Sequence, residues 1–352
     1  MTNQARPVYL DCDPGVDDAL ALAYLLASPE VQLVGGVRVS GLRRGKTGWL
    51  LTTADGRELA AEVVVDASGR GSRMPHWLSQ LGCTVVEPEV LDASLGYACQ
   101  TFQARSGSAP RVGVVVGATP DHPRSGLGLP VEDGRWLVSA AGYGEHRPER
   151  QPDLRPYLTT LRDPALAEIT AGLEPVDEVA VHRQTANRRH HYGEASDWPD
   201  GLLVVGDALC SFNPIYGQGI TVGACQALVL RDALRRRGRL DTRRLQRRFA
   251  RVGDLPWSVA TTEDVRYLPD HTPTRGQRLL TVWSTELGLL AQHGNRRALK
   301  TFGRVYHLMG SPALLAHPAL VGAMLRHRLT RRPAPPPPRP AVLTELVGQP
   351  VR

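Results

Sequence analysis

Apolar and polar positions divide this chain into short strand-like runs up to about residue 207 and longer helical runs after it. Residues 8–11 are a short apolar run, residues 14–18 a turn, residues 19–27 a helical run and residues 31–34 a second strand. This strand, helix, strand order predicts a βαβ unit, the start of a parallel sheet. Between residues 37 and 65 the pattern becomes hairpin-like, with a polar turn at Ala54, Asp55 and Gly56 between WLLTT and LAAEVVV. Val63, Val64 and Val65 are continuously apolar, as in a strand buried on both faces.

An antiparallel region is expected over residues 112–143, where GLGLPV and RWLVSAAGY flank the turn signal Glu132, Asp133, Gly134. Residues 152–173 read as helical, and GLLVVGD, ending at Asp207, returns to a buried strand. Beyond Ile220 the chain is helical, with Val222, Cys225, Leu228 and Val229 able to share one face. Prolines at 256, 269, 312 and 318 break these helices, and Pro335 to Pro338 predict an extended tail.

Composition adds few constraints. The length of 352 residues allows a large core and more than one domain. The net charge of +7 comes almost wholly from arginine, Lys46 and Lys300 being the lone lysines. The arginines between Arg231 and Arg251 read as a solvated helix face without an aromatic platform, so no nucleic-acid partner is expected. Cys12, Cys83, Cys99, Cys210 and Cys225 show no CxxC spacing, which argues against a disulfide framework or a zinc site. No stretch has the length and apolarity of a membrane span, and the opening lacks the layout of a secretion signal, so a cytoplasmic location is expected. His190 and His191, being adjacent, would point to opposite sides of a strand and make a poor metal pair; His182, His293 and His307 are scattered.

The chemistry concentrates around Asp207. A buried strand ending in Gly206 and Asp207, followed by a Gly/Pro-rich loop and a helix start, places a carboxylate and unpaired backbone N–H groups at the C-terminal edge of a sheet, where α/β proteins bind ligands. GLLVVGDALCSFNPIYGQGIT resembles the GD motif of FAD-dependent monooxygenases of the aromatic-hydroxylase type. That resemblance implies that Gly206 and Asp207 hold the ribityl chain and that Pro214, Gly217 and Gly219 line the flavin ring. EVVVDASGRGSRMP is similar to a second motif of the family and would contribute Ser68, Gly69, Ser72 and Arg73, with Ser68 standing where an aspartate is usual. The likeness runs from about residue 37 to 329 and includes TANRRHHYGE and DLPWSVATTEDVRY. It implies FAD as cofactor, NAD(P)H as reductant, O₂ as oxidant and an organic small-molecule substrate.

The family's opening G-x-G-x-x-G turn, which holds the FAD pyrophosphate, has no counterpart in this sequence. In its place VYLDCDPGVDDALALAYLLASPEVQLVG resembles the start of the inosine-uridine-preferring nucleoside hydrolases. That second resemblance implies Asp13 and Asp18 as Ca²⁺ ligands, Asp13 as the base that activates water, Asp17 on ribose and Asp11 in support. Four carboxylates facing a pyrophosphate would repel it unless a cation bridged them.

The expected architecture is α/β: an incomplete Rossmann-like FAD-binding layer, an antiparallel substrate-domain sheet and a helical C-terminus. The boundaries are 1–36 for the hydrolase-like segment, 37–80 with 180–250 for the flavin portion, 81–179 for the substrate sheet, 251–330 for the C-terminal helices and 331–352 for the tail. Three functions are consistent with the residues: an FAD-dependent oxidoreductase, a Ca²⁺-dependent nucleoside hydrolase, and a non-enzymatic product of joining one gene's start to another's body.

Overall fold

In the computed structural model, the residues described are 10–11, 34–104, 111–235, 240–269 and 272–330. The chain forms two compact units. The first comprises residues 1–90, 187–261 and 300–317, and the second comprises residues 91–186, 262–299 and 318–352. The C-terminal helical stretch is thus shared between them. Elements are labelled in chain order.

The first unit carries a parallel sheet of β1 (Leu10–Asp11), β5 (Val64–Asp66) and β14 (Leu202–Val204), in the order β1-β5-β14. Leu10 pairs with Val65, and Val204 pairs with Asp66. All of Leu202, Leu203 and Val204 are fully buried, which is why this run is apolar without alternation. Strand β14 ends the described sheet, and a bare strand edge buried under helices would leave backbone groups unsatisfied. Two glutamines prevent this. From α5 (Thr242–Val252), Gln246 accepts from Val204 N at 2.9 Å and donates to Val204 O at 3.1 Å. From α4 (Gly219–Leu234), Gln226 accepts from Gly206 N at 2.7 Å.

An antiparallel meander of β2 (Val39–Gly45), β3 (Gly48–Thr53) and β4 (Glu58–Ala61) follows β1, with the expected turn at residues 54–56. Trp49 of β3 is buried and donates its indole N–H to Asp200 O at 3.1 Å. The unit also holds the short helix α1 (Met74–Gln80), most of α6 (Asp254–Asp264), whose Trp257 and Ala260 join its core, and a small sheet in which β13 (Asn187–Arg189) pairs with β15 (Cys210–Ser211).

The second unit is built on an antiparallel sheet in the order β11-β7-β10-β9-β8, with β12 also pairing β7. Its long strands are β7 (Leu95–Ala104), β9 (Arg124–Pro130) and β10 (Arg135–Tyr143); the edges are β8 (Val114–Val116), β11 (Leu173–Pro175) and β12 (Ala180–His182). Asp133 and Gly134 take positive φ between β9 and β10, as the turn signal predicts. One face of this sheet is closed: Ala98, Phe102, Trp136, Val138 and Ala140 are fully buried, in one cluster with Leu158, Leu161, Leu166 and Ile169. On the opposite face, Tyr97 stacks on His182 at 4.7 Å and Tyr143 on Tyr267 at 3.7 Å. The helical run expected over residues 152–173 is two short helices, α2 (Arg155–Leu158) and α3 (Ala165–Ala171). Pro164 breaks it, because a proline disfavours helical backbone at the residue before it.

The later helices are α7 (Arg275–Gln292), α8 (Arg296–Tyr306) and α9 (Pro318–Thr330). Thr274 and Gln277 form a reciprocal capping box at the start of α7. No described helix is long and apolar enough to cross a membrane.

Candidate functional site

The two glycine-rich loops of the first unit leave the C-terminal ends of neighbouring parallel strands and meet. Register pairs Val204 with Asp66, and Val205 N donates to Asp66 O at 3.0 Å, so both loops start at the same level. The Asp66 carboxylate is 5% exposed and organises the first loop. Its Oδ1 accepts from Ser68 N at 2.9 Å and Ser68 Oγ at 2.6 Å, and its Oδ2 accepts from Ser72 Oγ at 2.5 Å. Both serines singled out from sequence therefore brace this aspartate. Gly69 takes positive φ at the turn, and Arg73 is exposed at the start of α1.

The braced loop presents Arg70, which sequence reasoning passed over. Its guanidinium Nε lies 3.5 Å from Asp207 Oδ2, and its Nη2 donates to Phe212 O. One arginine thus ties the first loop to the second at two points, Asp207 and Phe212. A signal was present: Arg70 follows Gly69 directly, but nothing in the sequence showed which of Arg70 and Arg73 turns inward.

The second loop passes from Gly206, at φ +59°, through Asp207 to the turn Pro214–Tyr216 and Gly217, at φ +61°. Asn213 shapes that turn by accepting from Ile215 N at 3.2 Å, and Tyr306 of α8 holds it by donating to Tyr216 O at 2.9 Å. Among the described residues, a Cβ built on Gly206 or Gly217 would meet nothing within 4 Å, whereas one on Gly219 would meet Asp207 Oδ1 at 3.3 Å. The backbone is therefore bare at Gly206 and Gly217, and Gly219 keeps the carboxylate uncrowded. Helix α4 begins at Gly219, and its N-cap residue Gln218 makes no side-chain capping bond. The N-cap side chain thus leaves the first N–H groups and the positive end of the helix dipole unsatisfied by capping. Ile215 and Ile220 are 44% and 55% exposed on either side of the glycine turn and form an apolar rim.

Below the loops lies a buried polar group. His190 stacks on Tyr192 at 4.9 Å, and Tyr192 packs against Trp198 at 5.2 Å. His190 Nδ1, Tyr192 Oη, Ser211 Oγ and Gln218 Oε1 are buried without a hydrogen-bond partner among the described residues. Burial, reinforced by Arg188 and His191, pushes the His190 imidazole down to about 4, so it is neutral near pH 7; Asp66 acts in the opposite direction. Burial likewise raises the Tyr192 hydroxyl, and it pushes the Cys210 thiol up to about 12, which makes Cys210 an inert packing residue.

Asp13, Asp17 and Asp18, the residues of the Ca²⁺ reading, lie outside the described residues, as does the proline-rich tail. Asp11 is described in its backbone alone, paired with Asp66. Among the described residues no group of three or more His, Cys, Asp or Glu side chains could hold a metal ion.

The fold is similar to those of solved flavin-dependent proteins. The flavin-dependent brominase Bmp2 superposes with a TM-score of 0.56 at 13% identity, over 84% of this chain and 71% of that one. HpxO of Klebsiella pneumoniae, solved with FAD and uric acid, superposes with a TM-score of 0.53 at 20% identity, over 86% and 71%. In sequence, Protein Rv3254 of Mycobacterium tuberculosis is 38% identical over 184 residues, which are 51% of this chain and 38% of that protein. The chain therefore matches little more than a third of that relative's length. No family model matches the chain.

Proposed function

We propose that this protein is an FAD-dependent oxidoreductase of the monooxygenase type, acting on an organic small molecule with NAD(P)H as reductant. The observation that carries the reading is the convergence of Asp207, Arg70 and the open glycines Gly206 and Gly217 at the C-terminal edge of β5 and β14. That edge is where open α/β sheets take nucleotide cofactors. The similarity in fold to Bmp2 and to FAD-bound HpxO supports it.

The residues fit the group. Glycines without a neighbour at the Cβ position admit close approach of a planar ring, and the apolar rim of Ile215 and Ile220 suits its flat face. Asp207 is a hydrogen-bond acceptor suited to the ribityl hydroxyls, and Arg70 orients that carboxylate. The N-terminus of α4 would face a negatively polarised edge of the ring. Ser68 and Ser72 act one step back, by holding Asp66 and thus the loop that carries Arg70. When bound, FAD supplies the redox chemistry, taking two electrons from the nicotinamide and using O₂ to oxidise substrate. No side chain of the chain need act as nucleophile.

Titration of the purified chain with FAD, followed by quenching of flavin fluorescence and by the visible flavin spectrum, tests the reading. Saturable one-to-one binding is expected. Absence of binding at 100 µM chain, roughly the weak end of useful cofactor affinity, would reject it.

A further inference from the structure

Glu286, His293 and His327 stand apart from the flavin reading, and they sit together in the second unit. Glu286 and His293 are seven residues apart, two helical turns, so they share one side of α7 and its C-terminal end. His327 of α9 meets them there: its Nδ1 is 3.2 Å from Glu286 Oε2, and its ring centroid is 5.1 Å from that of His293 at an angle of 54°. The Glu286 side chain is 7% exposed and that of His327 is 15% exposed. His293 Nδ1 lies 2.7 Å from Leu289 O.

A carbonyl oxygen can only accept a hydrogen bond, and so can an ionised carboxylate. Both imidazoles therefore carry a proton on Nδ1, and in their neutral form they present a lone pair on Nε2. Neither Nε2 has a hydrogen-bond partner among the described residues. This is the outer-shell arrangement of metal-binding histidines, whose far nitrogen donates to a carbonyl or carboxylate that fixes tautomer and ring plane. The spacing agrees. With Zn–N near 2.0–2.1 Å the ring centre stands about 3.1 Å from the metal, so two imidazoles at a tetrahedral angle are about 5 Å apart.

We infer that His293 and His327 form a two-imidazole site for a divalent transition cation of the zinc, nickel or copper class, with Glu286 and the Leu289 carbonyl orienting the two rings. Imidazole ligands suit these ions. No third His, Cys, Asp or Glu among the described residues completes the set, so water fills the other positions and the affinity is modest. Such a site is independent of flavin binding.

The test uses the full chain, carrying no polyhistidine tag, with Cu²⁺ followed by electron paramagnetic resonance and Zn²⁺ by calorimetry. One Cu²⁺ per chain with nitrogen splitting from two imidazoles is expected. His293→Ala and His327→Ala should each lose one nitrogen from the spectrum and weaken binding at least about tenfold, and Glu286→Gln should keep both nitrogens and weaken binding about tenfold. Absence of stoichiometric binding, or spectra unchanged in both histidine variants, would overturn the site. Should a variant fail to fold, Zn²⁺ on the unaltered chain decides the matter: it should slow diethylpyrocarbonate modification of His293 and His327 and leave other histidines reacting as before. Equal modification with and without Zn²⁺ overturns the site.

Discussion

Two buried or half-buried ionisable side chains set the behaviour of the first unit, and each makes a separate prediction. Asp207 is 3.5 Å from Arg70 and its side chain is 37% exposed beside the glycine turn, so it stands at the loop surface rather than in the core. Asp207→Ala is expected to weaken FAD binding by at least about tenfold, the loss of one charge-assisted hydrogen bond of roughly 1.5–3 kcal/mol. The far-ultraviolet circular dichroism spectrum should not change. Equal affinity of the variant and the unaltered chain would remove Asp207 from the site.

His190 acts through protonation. Its folded value of about 4 lies below the ordinary 6.5, so the unfolded chain binds the extra proton first as pH falls. Stability is therefore undiminished above about pH 6.5, falls between 6.5 and 4 by at most about 1.4 kcal/mol per pH unit, and levels off below that. Thermal denaturation of His190→Phe, which keeps the stack on Tyr192, should show a shallower fall across that window. Identical pH profiles would contradict the assignment.

At the scale of elements, the informative feature is how the open side of β14 is closed. A strand that opens onto a loop must end in exposed backbone, yet Val204 is fully buried and Gly206 half-buried beside α4 and α5. Gln246 and Gln226 settle this conflict by supplying from helices the bonds another strand would have made. Gln246→Leu is therefore expected to cost about 2–4 kcal/mol in urea unfolding, because both backbone groups of Val204 lose their partner in a dry environment. A loss under about 0.5 kcal/mol would show that water reaches that edge. Helix patterning does not reveal such residues, since a buried glutamine reads as a break in an apolar face. The antiparallel sheet of the second unit is the opposite case: alternation along RWLVSAAGY and the Glu132–Gly134 turn announce the hairpin, and its register follows from the turn.

For the whole molecule, two compact units drawn from interleaved stretches of chain put the glycine-rich loops in one and the long antiparallel sheet in the other. Any ligand that binds the folded state alone stabilises it in proportion to its occupancy. FAD at 100 times its dissociation constant should add about 2.7 kcal/mol and raise the midpoint of the thermal transition that reports the first unit. An unchanged midpoint at saturating FAD would indicate binding to unfolded chain as well as folded.

The chain by itself determined what depends on near neighbours: the strand at residues 64–66, the strand at 202–204, the turn before β10 and the glycine loop around Asp207, because turn chemistry and apolar runs act over a few residues. It could not determine which arginine faces Asp207, that two glutamines seal β14, or that His293 and His327 meet. Those pairings join residues 20 to 137 positions apart, and their geometry follows from how helices and strands pack, to which no local pattern in the sequence is sensitive.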